Sequence, residues 1–461
     1  MPTTQIFAAS TLYGVATLAA ALDSDCFPAA DRRLLLLSNN AIVPETSAPL
    51  DTLPGFALLR GRFDGVLSWN DTIAPFHPGG WSPRPDDVPL WERQLRVVWG
   101  LGDDRIELAL ESIQVNPAQA VAQLFPDAPL TVYADGLMTY GPTRNKLDPL
   151  IGSRVRRVLH LDLVPGLRPL LLGEFGVPSE TVPTAAFVRT IGELASAEFE
   201  LSPSSPLSAF APTGPSAPGE PVALLLGQYL SALSILTPAE EEELHLRMLR
   251  GAAARGHRRI VFKPHPSAPP ASAHALTSEA TRLGVQLTFL ERPLLAEVLY
   301  EHLSPALVVG CFSTALLTAS AFYKIPVARV GTEPLLDRLA PYQNSNRVPV
   351  TIADALLPPL ERPLEADPSP PGDLAELLNA VGYAMQPELR PDLRDAAERY
   401  LAASLDAHTW RYFKRRRLTA LGLPGALPVQ LGFIPRNATV RRVARRARSL
   451  ARRTRGARRF R

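Results

Sequence analysis

The chain has 461 residues, more than the roughly 250–300 that a single hydrophobic core accommodates, so two or more domains are expected. Hydrophobic residues make up 46% and charged residues 20%, a composition that excludes a disordered or fibrous chain, while two distant cysteines, Cys26 and Cys311, exclude a disulfide scaffold and suit a reducing cytoplasm. The net charge of +3 conceals a division: Arg436–Arg461 holds twelve arginines and no acid, leaving 36 basic against 45 acidic residues in the rest.

The first element is a strand, Gln5–Ala8, that leads through Ser10-Thr11 into an apolar helix. The run lacks the basic start of a secretory signal and is too short for the roughly 20 residues of a membrane span. Strand-like runs follow at Arg32–Asn40, Phe63–Asp71, Leu130–Gly136 and Arg154–Val164, with helical stretches such as Asn116–Phe125 between them. Leu201–Pro221, with six prolines and five serines, reads as an extended linker. The pattern restarts at Val222–Ser231. Thr237 is a predicted N-cap, followed by Pro238 and a first turn rich in acids. Then come the strand ending in Lys263, a helix near Ala271–Leu283, a strand at Gln286–Leu290, a helix at Leu294–Tyr300 and the segment Ala306–Tyr323. A Pro-rich loop, Pro358–Pro371, precedes helices at Asp373–Met385 and Asp392–Leu405. The alternation predicts parallel α/β layers. The chain therefore divides into an α/β domain over residues 1–205, a Pro/Ser-rich linker over 206–221, a second α/β domain over 222–357, C-terminal helices over 372–425 and an Arg-rich tail over 436–461. Two Rossmann-type domains facing across a cleft, with a basic helical tail, make a GT-B-like arrangement, and ligands of such sheets lie beyond the carboxyl ends of the strands.

Three loops at such strand ends carry chemistry. Asp135-Gly136 follows an apolar strand; Asp135 is either a turn residue or a general base that takes a proton from an attacking hydroxyl, and Gly136 permits close approach to the backbone. Tyr140, Arg144 and Asn145 add donors nearby. In Lys263-Pro264-His265-Pro266 the two prolines stiffen the loop, which is either a rigid turn or a preset histidine beside a cation. Ser313-Thr314 opens an apolar helix, as a plain N-cap or as a cradle for an anion. No Walker-type loop and no carboxylate pair at metal-ligand spacing accompanies them, which suits a nucleotide-activated sugar without a required divalent ion.

Together these segments resemble the bacterial polysialyltransferase family (alpha-2,8-polysialyltransferase-like) and related bacterial GT-B sialyltransferases, which share an acidic-acidic-Gly motif, a His-Pro motif and a paired-hydroxyl motif. Here the motifs read Ala134-Asp135-Gly136, His265-Pro266 and Ser313-Thr314, and the phrases TQIFAASTLYGVATLAAAL, LMTYGPTRN, LLLGQYLS and RGHRRIVFKPHP are similar too. The resemblance spans roughly Thr4 to Ala328 and departs from the family at Ala134, where the first acid is missing. It implies an inverting transfer of sialic acid, or a related sugar, from a CMP-linked donor to a glycan hydroxyl in surface polysaccharide, capsule or glycolipid synthesis, with no cofactor beyond the donor and no metal. The first domain then serves the acceptor and the second the nucleotide sugar. Asp135 deprotonates the acceptor, His265 stabilises or protonates the leaving group, and Ser313 and Thr314 hold the phosphate. Further candidates are Lys263, Gly227, Gln228 and Glu297 on the donor side and Asn70, Gly136 and Arg144 on the acceptor side, with Asp71 and His77 beside Asn70. The alternatives are a transferase using a CMP-Kdo or CDP-linked donor for capsule or teichoic-type polymers, and a non-catalytic glycan- or nucleotide-binding relative. The tail sets Arg at helical spacing against a thin apolar stripe, which fits adsorption to the anionic inner face of the cell membrane by a cytoplasmic protein. Nucleic acid is a poorer partner, because no recognised nucleic-acid-binding fold accompanies the arginines.

Overall fold

The computed structural model describes residues 1–201, 221–265, 273–290, 292–361 and 373–426. Most of the linker and the whole Arg436–Arg461 tail lie outside the described residues, as does part of the Pro-rich loop.

The first seven strands are β1 (Thr3–Ala9), β2 (Arg32–Leu37), β3 (Gly65–Ser68), β4 (Arg105–Glu111), β5 (Leu130–Ala134), β6 (Val155–Leu161) and β7 (Ser179–Val182). They form one parallel sheet in the order β3-β2-β1-β4-β5-β6-β7. Six of the seven residues of β1 are buried, as expected of a central strand covered on both faces. The second sheet comprises β8 (Val222–Leu226), β9 (Arg259–Lys263), β10 (Gln286–Phe289), β11 (Leu307–Gly310) and β12 (Val327–Arg329), parallel in the order β10-β9-β8-β11-β12. All five residues of β8 are buried. Two parallel-sheet α/β domains result, the GT-B architecture anticipated from the alternation of elements.

Local chemistry fixes the helix starts. Thr11 caps the helix Leu12–Leu22 by accepting from the Gly14 amide at 2.9 Å. Thr237 and Glu240 form a reciprocal capping box at the head of Pro238–Ala254. The expected strand Phe63–Asp71 is shorter than the sequence suggests. Ser68 accepts from the Asp71 amide and turns the chain into a helix at Trp69, so Asn70 and Asp71 are helical. The strand Arg32–Asn40 likewise ends at Leu37.

The domains are joined by side-chain contacts as well as by the chain. The helix Thr184–Leu201 lies between Leu12–Leu22 and Ala296–Leu303, and Phe187 meets Phe322 of the second domain edge to face at 5.9 Å. Beyond the second sheet, the helix Leu374–Met385 returns to the first domain. Gln386 Nε2 donates to the Arg144 carbonyl at 2.5 Å, and Arg390 Nη1 to the Leu170 carbonyl at 3.1 Å. Among the described residues no helix is long and apolar enough to cross a membrane.

Candidate active site

Asp135 follows the last residue of β5 and is half-buried where the two domains meet. On the facing domain Thr314 opens the helix Thr314–Ala321 after β11, and its Oγ1 accepts from the Leu137 amide at 3.4 Å. A side chain at Gly136 would project onto the same hydroxyl, with its Cβ 3.4 Å away. The Asp135-Gly136 loop and the paired hydroxyls, 177 residues apart in the chain, therefore meet. Ser313 is the N-cap: its Oγ accepts from the Ala315 amide at 3.3 Å. The plain capping role is filled, the Leu316 amide donates to the Ser313 carbonyl at 3.0 Å, and the positive end of the helix dipole stands at this strand end.

His265 stands just past β9 in the second sheet. The strand β8 lies between β9 and β11, so the histidine loop and Ser313 are separated by two strand spacings, roughly 10 Å. The imidazole stacks on Tyr229, ring centroids 3.8 Å apart. Burial and the nearby Lys263 charge push its proton affinity down to about 4, so it is a neutral ring at physiological pH. Gly227 shapes this loop. Its amide donates to the Lys263 carbonyl at 2.8 Å, and a Cβ there would lie 2.9 Å from Phe262 Cζ and 3.2 Å from Pro264 Cα. Gln228 is buried, and its amide donates to His245 Nε2 at 3.1 Å. Burial holds His245 well below the ordinary histidine range, at about 4, in keeping with an accepting ring nitrogen.

The electrostatics centre on carboxylates. Burial first, then Glu111 and more weakly Glu297, raise the Asp135 carboxyl to about 7, against a hydrogen bond from its own backbone. Glu297 is 3% exposed and accepts from Thr318 Oγ1 at 2.6 Å. Burial raises its carboxyl, opposed by Thr318, its own backbone amide and Lys263. Lys263 in turn has its ammonium disfavoured by burial and favoured by Glu297. Lys263 and Glu297 are thus charge partners rather than independent surface groups.

Two candidates lie elsewhere. Arg144 ties elements together: its amide donates to Gln114 Oε1 at 2.8 Å, Nη1 reaches Ser345 Oγ at 3.4 Å, and its carbonyl accepts from Gln386. Asn70 exchanges hydrogen bonds with the backbone of Asn39, at 2.8 and 3.0 Å. It lines a separate cavity of about 1060 Å³ at the ends of β2 and β3, with Asp71 and His77. Four strand spacings, roughly 19 Å, separate β3 from β5, so Asn70 is remote from Asp135.

The structure adds residues that the sequence reading passed over. Tyr13, in the first turn of Leu12–Leu22, has its ring edge-to-face with Phe187 at 5.3 Å. Its buried hydroxyl has no hydrogen-bond partner among the described residues. Burial, then Glu297 and Asp135, hold that hydroxyl protonated far above its ordinary range. Tyr229 supplies the stacking face for His265. Glu111 ends β4, a strand not recognised from the sequence. Among the described residues no cluster of three or more His, Cys, Asp or Glu could hold a metal ion.

Compared with curated protein sequences, the chain has no significant match. Among solved structures it is similar to the 2,6-sialyltransferase of Photobacterium sp. JT-ISH-224 in a ternary complex with CMP and lactose, at 12% identity over 76% of this chain and 75% of that one, TM-score 0.38. It is also similar to a sialyltransferase from Photobacterium damsela, at 11% identity over 76% and 78%, TM-score 0.37. A third similar structure is Phytolacca americana UGT2 complexed with UDP-2fluoro-glucose and pterostilbene, at 14% identity over 91% and 99%, TM-score 0.41. Residues 5–332 match the family described as Alpha-2,8-polysialyltransferase (POLYST), a span that contains Asp135, His265, Ser313 and Thr314. The chain belongs to the alpha-2,8-polysialyltransferase family and is a glycosyltransferase.

Proposed function

We propose that the enzyme transfers sialic acid from a CMP-linked donor to a glycan hydroxyl with inversion, in the assembly of capsule, another surface polysaccharide or glycolipid. One observation carries the reading. A carboxyl held near neutrality stands at one lip of the cleft, against a helix start that bears two hydroxyls. In the reaction the acceptor hydroxyl gives its proton to an Asp135 oxygen, and the acceptor oxygen bonds the anomeric carbon. The bond from that carbon to the CMP phosphate oxygen breaks, its electron pair leaving with the phosphate. Ser313, Thr314 and the amides of their helix start receive the growing phosphate charge, helped by the His265 N–H and by Lys263. No metal takes part in this scheme. Incubation with CMP-sialic acid, CMP-Kdo and CDP-glycerol, each with and without glycan acceptor, tests it. Acceptor-dependent CMP release from CMP-sialic acid supports the proposal. Release only from CMP-Kdo or CDP-glycerol, or from none, contradicts it.

Tyr13 offers a hydroxyl to the bound sugar. Tyr13→Phe should lower kcat/KM about 5–20-fold, the effect of one hydrogen bond, with thermal stability unchanged or raised, because the buried hydroxyl has no partner among the described residues. An unaltered kcat/KM would remove Tyr13 from the site.

The tail supports a peripheral place on the inner face of the cell membrane, since each near-surface cation adds about 1 kcal/mol of attraction to anionic lipid. Deleting Arg436–Arg461 should shift the enzyme from the membrane to the soluble fraction without loss of specific activity on a water-soluble acceptor. Unchanged fractionation would show that the tail is not the anchor.

A further inference from the structure

Asp135 has a carboxylate neighbour that the two-acid motif does not contain. Position 134, where the family resemblance expects an acid, is Ala134, 7% exposed within the apolar layer that holds Ile6, Leu36 and Val132. Tyr133 belongs to the layer on the other side of the sheet. Alternate residues of a strand face opposite sides, so Asp135 shares the side of Tyr133, and an acid at 134 would enter an apolar layer. Glu111 on β4 is the registered partner of Tyr133 on β5. Glu111 and Asp135 therefore occupy one face of the sheet, on adjacent strands and two residues apart along them, with Cα atoms about 8 Å apart from strand spacing and rise.

Both carboxylates pack on the turn from β1 into the helix Leu12–Leu22. Glu111 Oε2 accepts from the Ser10 amide at 2.8 Å and from Ser10 Oγ at 2.7 Å. Asp135 Oδ2 lies 3.5 Å, and the Tyr133 hydroxyl 3.0 Å, from the point where a Cβ on Gly14 would stand. A Cβ there would press on the Tyr133 hydroxyl, which glycine leaves undisturbed. Tyr133 in turn donates to the Ala8 carbonyl at 2.9 Å, which fixes the floor between the two acids.

We propose that Glu111 is a positioning residue of the transfer reaction: it acts through Asp135, as the second carboxylate of an acid pair built from two neighbouring strands. The inference rests on the reading of Asp135 as the base. The division of roles follows from the hydrogen bonds. Two carboxylates in one poorly solvated place do not ionise independently, and the one that holds more donors keeps its charge. Burial raises the Glu111 carboxyl as well, but Ser10 opposes that with two donors, so Glu111 is the member that better holds its charge and Asp135 the one that takes up a proton. The groups facing Asp135 are Glu111 from β4, Tyr133 from its own strand, Tyr13 from the helix Leu12–Leu22 and Glu297 from the opposite domain, the last offset by Lys263. Of the neighbouring charges, Glu111 has the largest effect on Asp135, ahead of Glu297.

The test is the pH dependence of kcat/KM for acceptor-dependent transfer. The base must be ionised, so activity falls as pH drops through the Asp135 value of about 7. Glu111→Gln keeps an oxygen for the Ser10 amide but removes the negative charge, and it should move the acid limb down by about one pH unit. Glu111→Asp, which keeps the charge, should leave the limb within a few tenths of a unit of the original. A second readout is independent of turnover: the protonated-carboxyl infrared band that Asp135→Asn removes should titrate about one unit lower in Glu111→Gln, or in Glu111→Ala should the glutamine disturb folding. An unmoved limb or band in these variants overturns the inference while leaving Asp135 as the base. Full activity in Asp135→Asn, with loss at every pH in Glu111→Gln, would make Glu111 itself the base. That result would overturn both readings.

Discussion

Asp135→Asn should lose about 10²–10⁴ in kcat, the contribution of a positioned general base, and should be more stable than the parent enzyme. The two effects have one cause. Burial, Glu111 and Glu297 raise the Asp135 carboxyl from 3.8 to about 7, so the folded state holds its proton more tightly than the unfolded chain does. A raised carboxyl makes folding progressively less favourable as pH climbs from about 4 to 7 and by a constant amount above that. Asparagine removes this penalty, and the gain at pH 8 should be on the order of 2 kcal/mol once the full shift is discounted for the partial exposure of Asp135, vanishing below pH 4. Thermal unfolding of the two proteins at pH 4 and pH 8 checks the claim. An Asp135→Asn enzyme matching the parent's stability at both pH values would mean that the carboxyl is not raised by the fold, and one active at the parent rate would mean that it is not the base.

His265→Ala should reduce kcat by about 10²–10³, the loss of one preorganised donor at a site of developing charge. The free enzyme holds this ring neutral, because burial and then Lys263 push it to about 4. A neutral imidazole offers one N–H to a phosphate oxygen and carries no proton to give up at physiological pH. The kcat/KM profile should therefore show one limb near 7, from Asp135, and none from His265 between pH 5 and 9. His265→Asn, which retains an N–H donor, should recover part of the rate. The fold should tolerate both changes, since the ring stacks on the face of Tyr229 just past the end of a strand of the second sheet. A second limb near 6.5 that disappears with the histidine would instead assign the ring to proton transfer.

Much of this arrangement is legible in the sequence because each motif directly follows a run of buried apolar residues. Val132-Tyr133-Ala134 announces Asp135, Ile260-Val261-Phe262 announces Lys263 to His265, and Val308-Val309-Gly310 announces Ser313-Thr314. A parallel strand buried on both faces leaves an almost continuous apolar signal, and its carboxyl end is where ligands lie. Arg105–Glu111 escapes this logic because its polar residues Arg105, Glu107 and Glu111 interrupt the run, and Glu111 escapes with it. The strand expected over Phe63–Asp71 misleads for the opposite reason. Val66-Leu67 and Trp69 prolong an apolar run that Ser68 in fact ends by capping a helix. The tie between Gln386 and Arg144 joins residues 242 positions apart, and no local pattern encodes such a contact. Gly227 looks like a ligand-lining glycine in the sequence; in space it is the residue that lets the Lys263-Pro264 backbone lie against β8.

The central claim is that Asp135 and the Ser313-Thr314 helix start hold the two reacting partners across one cleft. A crystal structure of Asp135→Asn with a non-transferable CMP-sialic acid analogue and an oligosaccharide acceptor tests it most directly. The CMP phosphate should lie on the hydroxyls of Ser313 and Thr314 with His265 in contact. The acceptor hydroxyl should lie within hydrogen-bond reach of residue 135, about 2.6–3.2 Å, on the opposite side of the sugar. A nucleotide bound away from these hydroxyls, or an acceptor hydroxyl directed at another carboxylate, would contradict it.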